Sequence, residues 1–211
     1  GDPTSMGDGI ANNDSVFTSN ITGVNILNVQ NQFISSLKGI EDFSSLTSLN
    51  CDNNLLNALD ISQNHLLGIL SCKENGIDSL NCSSNIVLTI LDCSNNLIIS
   101  LDLSNNSILT NLDCSSNPNL TSLDLRNGNN LQISSFSSIG DSSLFCIDVD
   151  SVNYALLTFN FDAWSHFSTD CETAFGCTDS TACNYNSLAT IDDSTCIYPT
   201  SSITNVISCD T

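Results

Sequence analysis

The sequence predicts a solenoid of parallel β-strands, wound in coils of 21 residues and followed by a small disulfide-rich module. Three observations carry that prediction. Cys51, Cys72, Cys93 and Cys114 recur at a fixed step of 21 residues, and the same apolar frame surrounds each of them. Asn occurs 29 times among 211 residues while charged side chains make up only 12%, the excess expected of one turn made over and over. A constant period of this length means that each unit buries its apolar side against its neighbours and not within itself.

Taken in chain order, residues 1–23 read as a polar lead-in and N-terminal cap, with Ile21 to Ile26 beginning the first coil. The start Gly1-Asp2-Pro3-Thr4-Ser5-Met6 reads as a mature end or a cloning remnant, with no signal peptide visible. Residues 24–130 are the expected solenoid. Its first, divergent coil starts at Leu27-Asn28-Val29, with Gln32 in the Asn place. The full frame follows as Leu49-Asn50-Cys51 to Asn54, Leu70-Ser71-Cys72 to Asn75, Leu91-Asp92-Cys93 to Asn96, and Leu112-Asp113-Cys114 to Asn117. Halfway along each unit the frame returns, at Leu59-Asp60-Ile61 to Asn64, Leu80-Asn81-Cys82 to Asn85, Leu101-Asp102-Leu103 to Asn106, and Leu123-Asp124-Leu125 to Gly128.

Alternate residues of a strand point to opposite faces, so Leu and Cys of each Leu-x-Cys triplet point inward together. Stacked at about 4.8 Å, five such coils make a ladder roughly 25 Å long. Asn54, Asn64, Asn75, Asn85, Asn96, Asn106 and Asn117 fall where the chain turns, and their amides can satisfy backbone groups that a buried turn leaves unpaired. Cys51, Cys72, Cys82, Cys93 and Cys114 take positions held elsewhere by Ile61, Leu103 and Leu125, and are expected as free, buried thiols. Parallel strands do not turn successive Cβ vectors into bridge geometry, and no His or CxxC spacing accompanies these cysteines to suggest metal or redox work.

Over residues 24–130 the pattern LxxLxCxxNxLxxLDxSxN resembles leucine-rich repeats, including those of internalin-like bacterial adhesion proteins. The resemblance implies a leucine-rich repeat solenoid that binds a protein or glycan. Residues 131–173 are expected to cap it, since Leu131, Ile133, Phe136, Leu144, Ile147 and Val149 continue the apolar spacing irregularly. Most of the aromatic residues, Tyr154, Phe159, Phe161, Trp164 and Phe167 among them, also fall here and suit a plug over the last coil; an aromatic ligand platform is the competing reading. Cys146 and Cys171 bracket this segment and are expected to pair.

Residues 174–211 differ in composition, being rich in Cys, Thr and Asp and poor in Leu. The run Gly176-Cys177-Thr178-Asp179 through Ala182-Cys183-Asn184-Tyr185 to Asp192-Asp193 and Cys196 resembles the small GCTDxxACNY module of secreted multidomain proteins from marine Bacteroidetes. A segment this short depends on bridges. Its four cysteines allow three pairings, of which Cys177 with Cys196 and Cys183 with Cys209 is the favoured one; zinc is disfavoured by the absence of a CxxC knuckle. Asp179, Asn184, Asn186, Asp192 and Asp193 offer hard oxygen donors for calcium, although no EF-hand spacing is present.

The balance of 23 acidic against three basic residues leaves no cationic patch for nucleic acid or anionic lipid. No apolar run approaches the roughly 18 residues of a spanning helix, so membrane insertion is not expected. His65 and His166 lie far apart and outside any catalytic motif, so no enzyme is expected. A column of Thr47, Gly68, Thr89, Thr110 and Thr121 raises ice binding, but Ser48, Ile69, Ile90, Asn111 and Ser122 interrupt any threonine lattice. The resemblance to leucine-rich repeat adhesion proteins implies a secreted or cell-surface module, expected as a monomer, that recognises a protein or polysaccharide through its repeat surface; periodicity alone implies only a scaffold. Leu55, Leu66, Leu97 and Ile99 are candidate contacts, and the contrasting reading is a spacer carrying other domains of a longer protein. A charge of −20 favours a basic or cation-bridged ligand.

Overall fold

The computed structural model describes residues 18–198, 200–201 and 207–208, and the chain divides into two compact units at Phe167 and Ser168. Residues 1–17, and Cys209 with its expected bond to Cys183, lie outside the described residues.

The first unit is a leucine-rich repeat solenoid. After a one-turn helix α1 (Thr18–Ile21) come the three-residue strands β1 (Ile26–Asn28), β2 (Ser48–Asn50), β3 (Ile69–Ser71), β4 (Ile90–Asp92), β5 (Ser100–Asp102), β6 (Asn111–Asp113), β7 (Ser122–Asp124), β8 (Ser135–Ser137) and β9 (Cys146–Asp148), then helix α2 (Val152–Thr158) and strand β10 (His166–Ser168). They form a six-stranded sheet in the order β1-β2-β3-β4-β6-β8 and a four-stranded sheet in the order β10-β9-β7-β5. In the first sheet the parallel register is Leu27, Leu49, Leu70, Leu91, Leu112 and Phe136. In the second it runs Leu101, Leu123 and Ile147. Between the sheets lies one apolar core, continuous from Ile40 to Phe167, that no single coil could enclose.

One expectation needs correction, the number of coils. The ladder does not stop at residue 130, nor at five coils: β8 extends the first sheet, and Asn160 bridges Ser137 in parallel beyond it, marking seven coils. Residues from the segment expected as a cap, 131–173, contribute β8, β9 and β10 to the two sheets, and the compact unit closes at Phe167. The physical reason is substitution within the frame. Phe136 stands in register with Leu112, and Phe159 stacks on it with ring centroids 4.4 Å apart. Edge contacts from Phe159 to Tyr154 and Phe167, both at 5.9 Å, complete the cluster. Phe136, Phe159 and Phe167 are buried, so these rings are core and not an open platform, although Trp164 remains 43% exposed.

The threonine column also differs. Thr47, Thr89 and Thr110 donate their hydroxyls to the backbone carbonyls of Asn25, Gly68 and Thr89, and the next member is Ser134, which donates to Thr110. Thr121 belongs to the other side of the coil, where it donates to Ile99. These hydroxyls are thus donated from one coil to the next.

The second unit contains helix α3 (Cys171–Ala174), the parallel pair β11 (Phe175–Gly176) and β12 (Ile191–Asp192), and the antiparallel pair β13 (Thr200–Ser201) and β14 (Ile207–Ser208). Cys177 and Cys196 are bonded to each other, and Cys146, Cys171 and Cys183 are also disulfide-bonded. Gly176 has a φ of 156°, which residues with side chains rarely adopt, and a Cβ there would sit a tight 3.1–3.2 Å from Asn186 and Ala189 side-chain atoms.

Candidate functional site

Two internal ladders of asparagine hold the coils in register and so decide what the surface can present. In the first, Asn54, Asn75, Asn96 and Asn117 each use both ends of the amide. Asn96 Nδ2 donates to Cys72 O and Cys93 O, both at 3.0 Å, while its Oδ1 accepts Ile77 N–H at 3.1 Å. Asn75 and Asn117 repeat the pattern on Leu56 and Ile98. Asn54 accepts from both Gln32 and Ile34, tying the divergent first coil to the regular ones.

In the second ladder, Asn64, Asn85 and Asn106 are fully buried and donate to carbonyls of the preceding coil. Asn85 Nδ2 reaches Ile61 O at 3.1 Å and Asn64 O at 2.9 Å. The Oδ1 atoms of these three accept no hydrogen bond from the protein. Asn127 extends this ladder, donating to Asn106 O. The repeat frame points to Gly128 in that turn, and the Asn immediately before it is the signal for this rung.

The cysteines line the core between these ladders. Cys51, Cys72, Cys82, Cys93 and Cys114 are all buried free thiols. Burial pushes the Cys51 and Cys82 thiols up to about 12, and drives Cys72, Cys93 and Cys114 well above the usual thiol range. Since only the thiolate is a strong nucleophile, all five will resist iodoacetamide in the native protein at pH 8. All five will be alkylated after denaturation without reductant; intact mass spectrometry checks both states.

The outward side chains of the six-stranded sheet form two columns. One contains Ile26, Ser48, Ile69, Ile90, Asn111 and Ser135; the other contains Asn28, Asn50, Ser71, Asp92, Asp113 and Ser137. Ile69 and Ile90 are 41% and 38% exposed, adjacent in register and beside the two carboxylates. Asp92 Oδ1 accepts from Ser94, and Asp113 Oδ1 from Ser115, so each carboxylate is held along the sheet. Lys73 approaches Asp92 at 3.6 Å, an exposed pair worth little energetically. The second sheet presents Asp102, Asp124 and Asp148, with Arg126 pairing to Asp124 and Asp148 at 2.6 and 3.5 Å. The Arg126 guanidinium holds the Asp124 carboxyl below the usual range.

The other candidate contacts lie away from these columns. Leu55 and Leu97 each follow a rung of the first ladder, Leu66 follows Asn64 by two residues, and Ile99 leads into β5; all four are exposed. An open pocket of about 440 Å³ lies between Lys38, Glu41, Leu59, Asp60 and Gln63.

The oxygen donors expected for calcium each take part in hydrogen bonds within the module. Asn184 is spent internally, donating to Thr195 O and accepting Ile197 N–H, and Asn186 accepts Leu188 N–H. Asp179 accepts from Thr181 and from the Tyr198 hydroxyl, Asp192 from Ser194, and Asp193 from Thr195. Among the described residues no group of three or more His, Cys, Asp or Glu side chains could hold a metal ion. Hydrogen bonds from their own turns lower the Asp179 and Asp193 carboxyls, which accounts for these aspartates as turn formers.

No family model and no curated protein matches the chain. Among solved structures it is similar to the functional domain of InlJ from Listeria monocytogenes, which includes a cysteine ladder, at 24% identity and a TM-score of 0.49, over 72% of this chain and 42% of that one. It is also similar to an internalin (inlF) from Listeria monocytogenes str. 4b F2365, at 18% identity and a TM-score of 0.49, over 64% of this chain and 43% of that one. The chain thus matches less than half the length of either.

Proposed function

We propose that this chain is a non-catalytic, extracellular recognition module that binds a protein or polysaccharide through the outward face of its six-stranded sheet. The observation that carries the reading is the patch formed by Ile69, Ile90, Asp92 and Asp113, in which two exposed apolar side chains lie beside two carboxylates on adjacent coils. Apolar side chains kept in water on a rigid backbone are a standing cost unless something covers them. The neighbouring carboxylates, within a chain of net charge −20, favour a basic partner surface. An extracellular setting is supported by the disulfides at Cys146, Cys171, Cys177, Cys183 and Cys196. No helix among the described residues is long and apolar enough to cross a membrane.

The test compares the protein with Ile69→Ser/Ile90→Ser and Asp92→Lys/Asp113→Lys variants in cell-surface pull-downs and on a glycan array. A ligand retained by the wild type and by a Leu66→Ser control, but lost from both sheet variants, is the expected result. Ligand retention that is equal in all four proteins refutes the sheet face. Absence of any ligand, with and without calcium, favours the spacer reading instead.

A further inference from the structure

The first asparagine ladder has an exception. In register with Asn117, one coil further on, the rung is Asp141: Leu112 pairs with Phe136 and Asp113 with Ser137, and Asn117 N–H donates to Asp141 Oδ1 at 2.7 Å. Asp141 is fully buried. An asparagine rung gives its amide hydrogens to two cysteine carbonyls, as Asn117 Nδ2 does to Cys93 O at 3.1 Å and Cys114 O at 2.7 Å. In Asp141, Oδ1 is the bound acceptor, which leaves Oδ2 as the counterpart of the amide nitrogen. That atom is buried and has no hydrogen-bond partner.

The charges around it offer no compensation. From the following coil comes Asp162, whose Oδ2 accepts Gly140 N–H at 2.8 Å and Asp141 N–H at 3.1 Å. From the end of β6 comes the Asp113 carboxylate, and from the residue after it the Cys114 thiol, both close enough to interact electrostatically with Asp141. The basic side chains are engaged elsewhere, Lys73 with Asp92 and Arg126 with Asp124 and Asp148, while Lys38 lies in the first coils. A carboxylate here is desolvated, flanked by like charge and lacks the proton that the ladder needs. A carboxylic acid supplies that proton.

We propose that Asp141 is carried in the folded protein as a neutral carboxylic acid that continues the asparagine ladder, so that the last coils are locked in acid and loosened when this one side chain ionises. Burial, and then the Asp162 and Asp113 charges, push its carboxyl up to about 7, against the opposing pull of the Asn117 N–H. In the unfolded chain the same group titrates near about 3.9. Its folded value being raised, the stability it contributes is fully present below about pH 4 and is lost as the pH rises through about 7.

The test is thermal unfolding of the full chain from pH 4 to 9 for the wild type, Asp141→Asn and Asp162→Asn. Because every other carboxylate is common to both proteins, the difference between wild type and Asp141→Asn isolates this rung. The two should melt alike near pH 4, with the wild type falling behind by several degrees by pH 8. Asp162→Asn, which removes a like charge, should move the fall to lower pH. A difference between wild type and Asp141→Asn that does not vary with pH overturns the proposal. Carbon-13 NMR of the wild-type Asp141 carboxyl decides independently of how the variants fold: titration near neutrality supports the neutral rung, and titration near pH 4 overturns it.

Discussion

Replacing Asn96 with alanine is expected to lower the unfolding free energy by about 3 kcal/mol, because one buried N–H is left without an acceptor while two carbonyls each lose one donor and keep only that of Asn75 or Asn117. Ile77 N–H loses its acceptor, and the Cys72 and Cys93 carbonyls lose the donor that joins their coils. The side chain is only 3% exposed, so water does not readily replace it. Asn85→Ala provides the internal comparison. It removes donors to Ile61 and Asn64 but leaves no backbone N–H stranded, since Asn85 Oδ1 accepts none. Its cost should be smaller, about 2 kcal/mol. Urea denaturation of the two variants ranks them; equal costs would show that the two ladders are energetically alike despite their different bonding.

Leu91→Ala is the second large effect, at about 3 to 4 kcal/mol, combining lost burial with the cavity left behind. Leu91 is 1% exposed and lies in register between Leu70 and Leu112, so the cavity opens in the middle of the ladder. In a solenoid each coil is stabilised by its neighbours alone, and a weak central interface reduces coupling between the two ends. The denaturation transition should therefore broaden as well as shift, with a lower apparent m-value. Ile26→Ala, on the same sheet but 72% exposed, should change stability by less than about 0.5 kcal/mol. A Leu91→Ala transition as steep as wild type would argue that the solenoid unfolds as one cooperative block.

Much of this architecture is legible in the chain because one short frame is repeated with little change. Leu at the first inward position, Cys, Ile or Leu at the second, and Asn at the turn state the strand, the core and the hydrogen-bonding rung of each coil. The frame is hidden where a position keeps its role but changes its residue type. Phe136 does the work of Leu, and Asp141 does the work of Asn, in loops stretched beyond the 21-residue step. A search for a constant period treats such coils as the end of the repeat. The candidate surface was legible only in part. Leu55, Leu66, Leu97 and Ile99 are recognisable as variable turn positions, whereas the adjacency of Ile69, Ile90, Asp92 and Asp113 depends on strand register across coils.

By itself, then, the sequence determined the period, the inward and outward alternation of each strand, and the turn chemistry. These are local consequences of side-chain type, and they repeat because the residues do. Tertiary structure alone decided how many coils stack, where the ladder ends, and which asparagine oxygens are left without a donor. It also brought one carboxyl into a rung built for an amide. Those outcomes depend on what the neighbouring coil places within hydrogen-bond reach, and residues some twenty positions apart meet only when the ladder has closed.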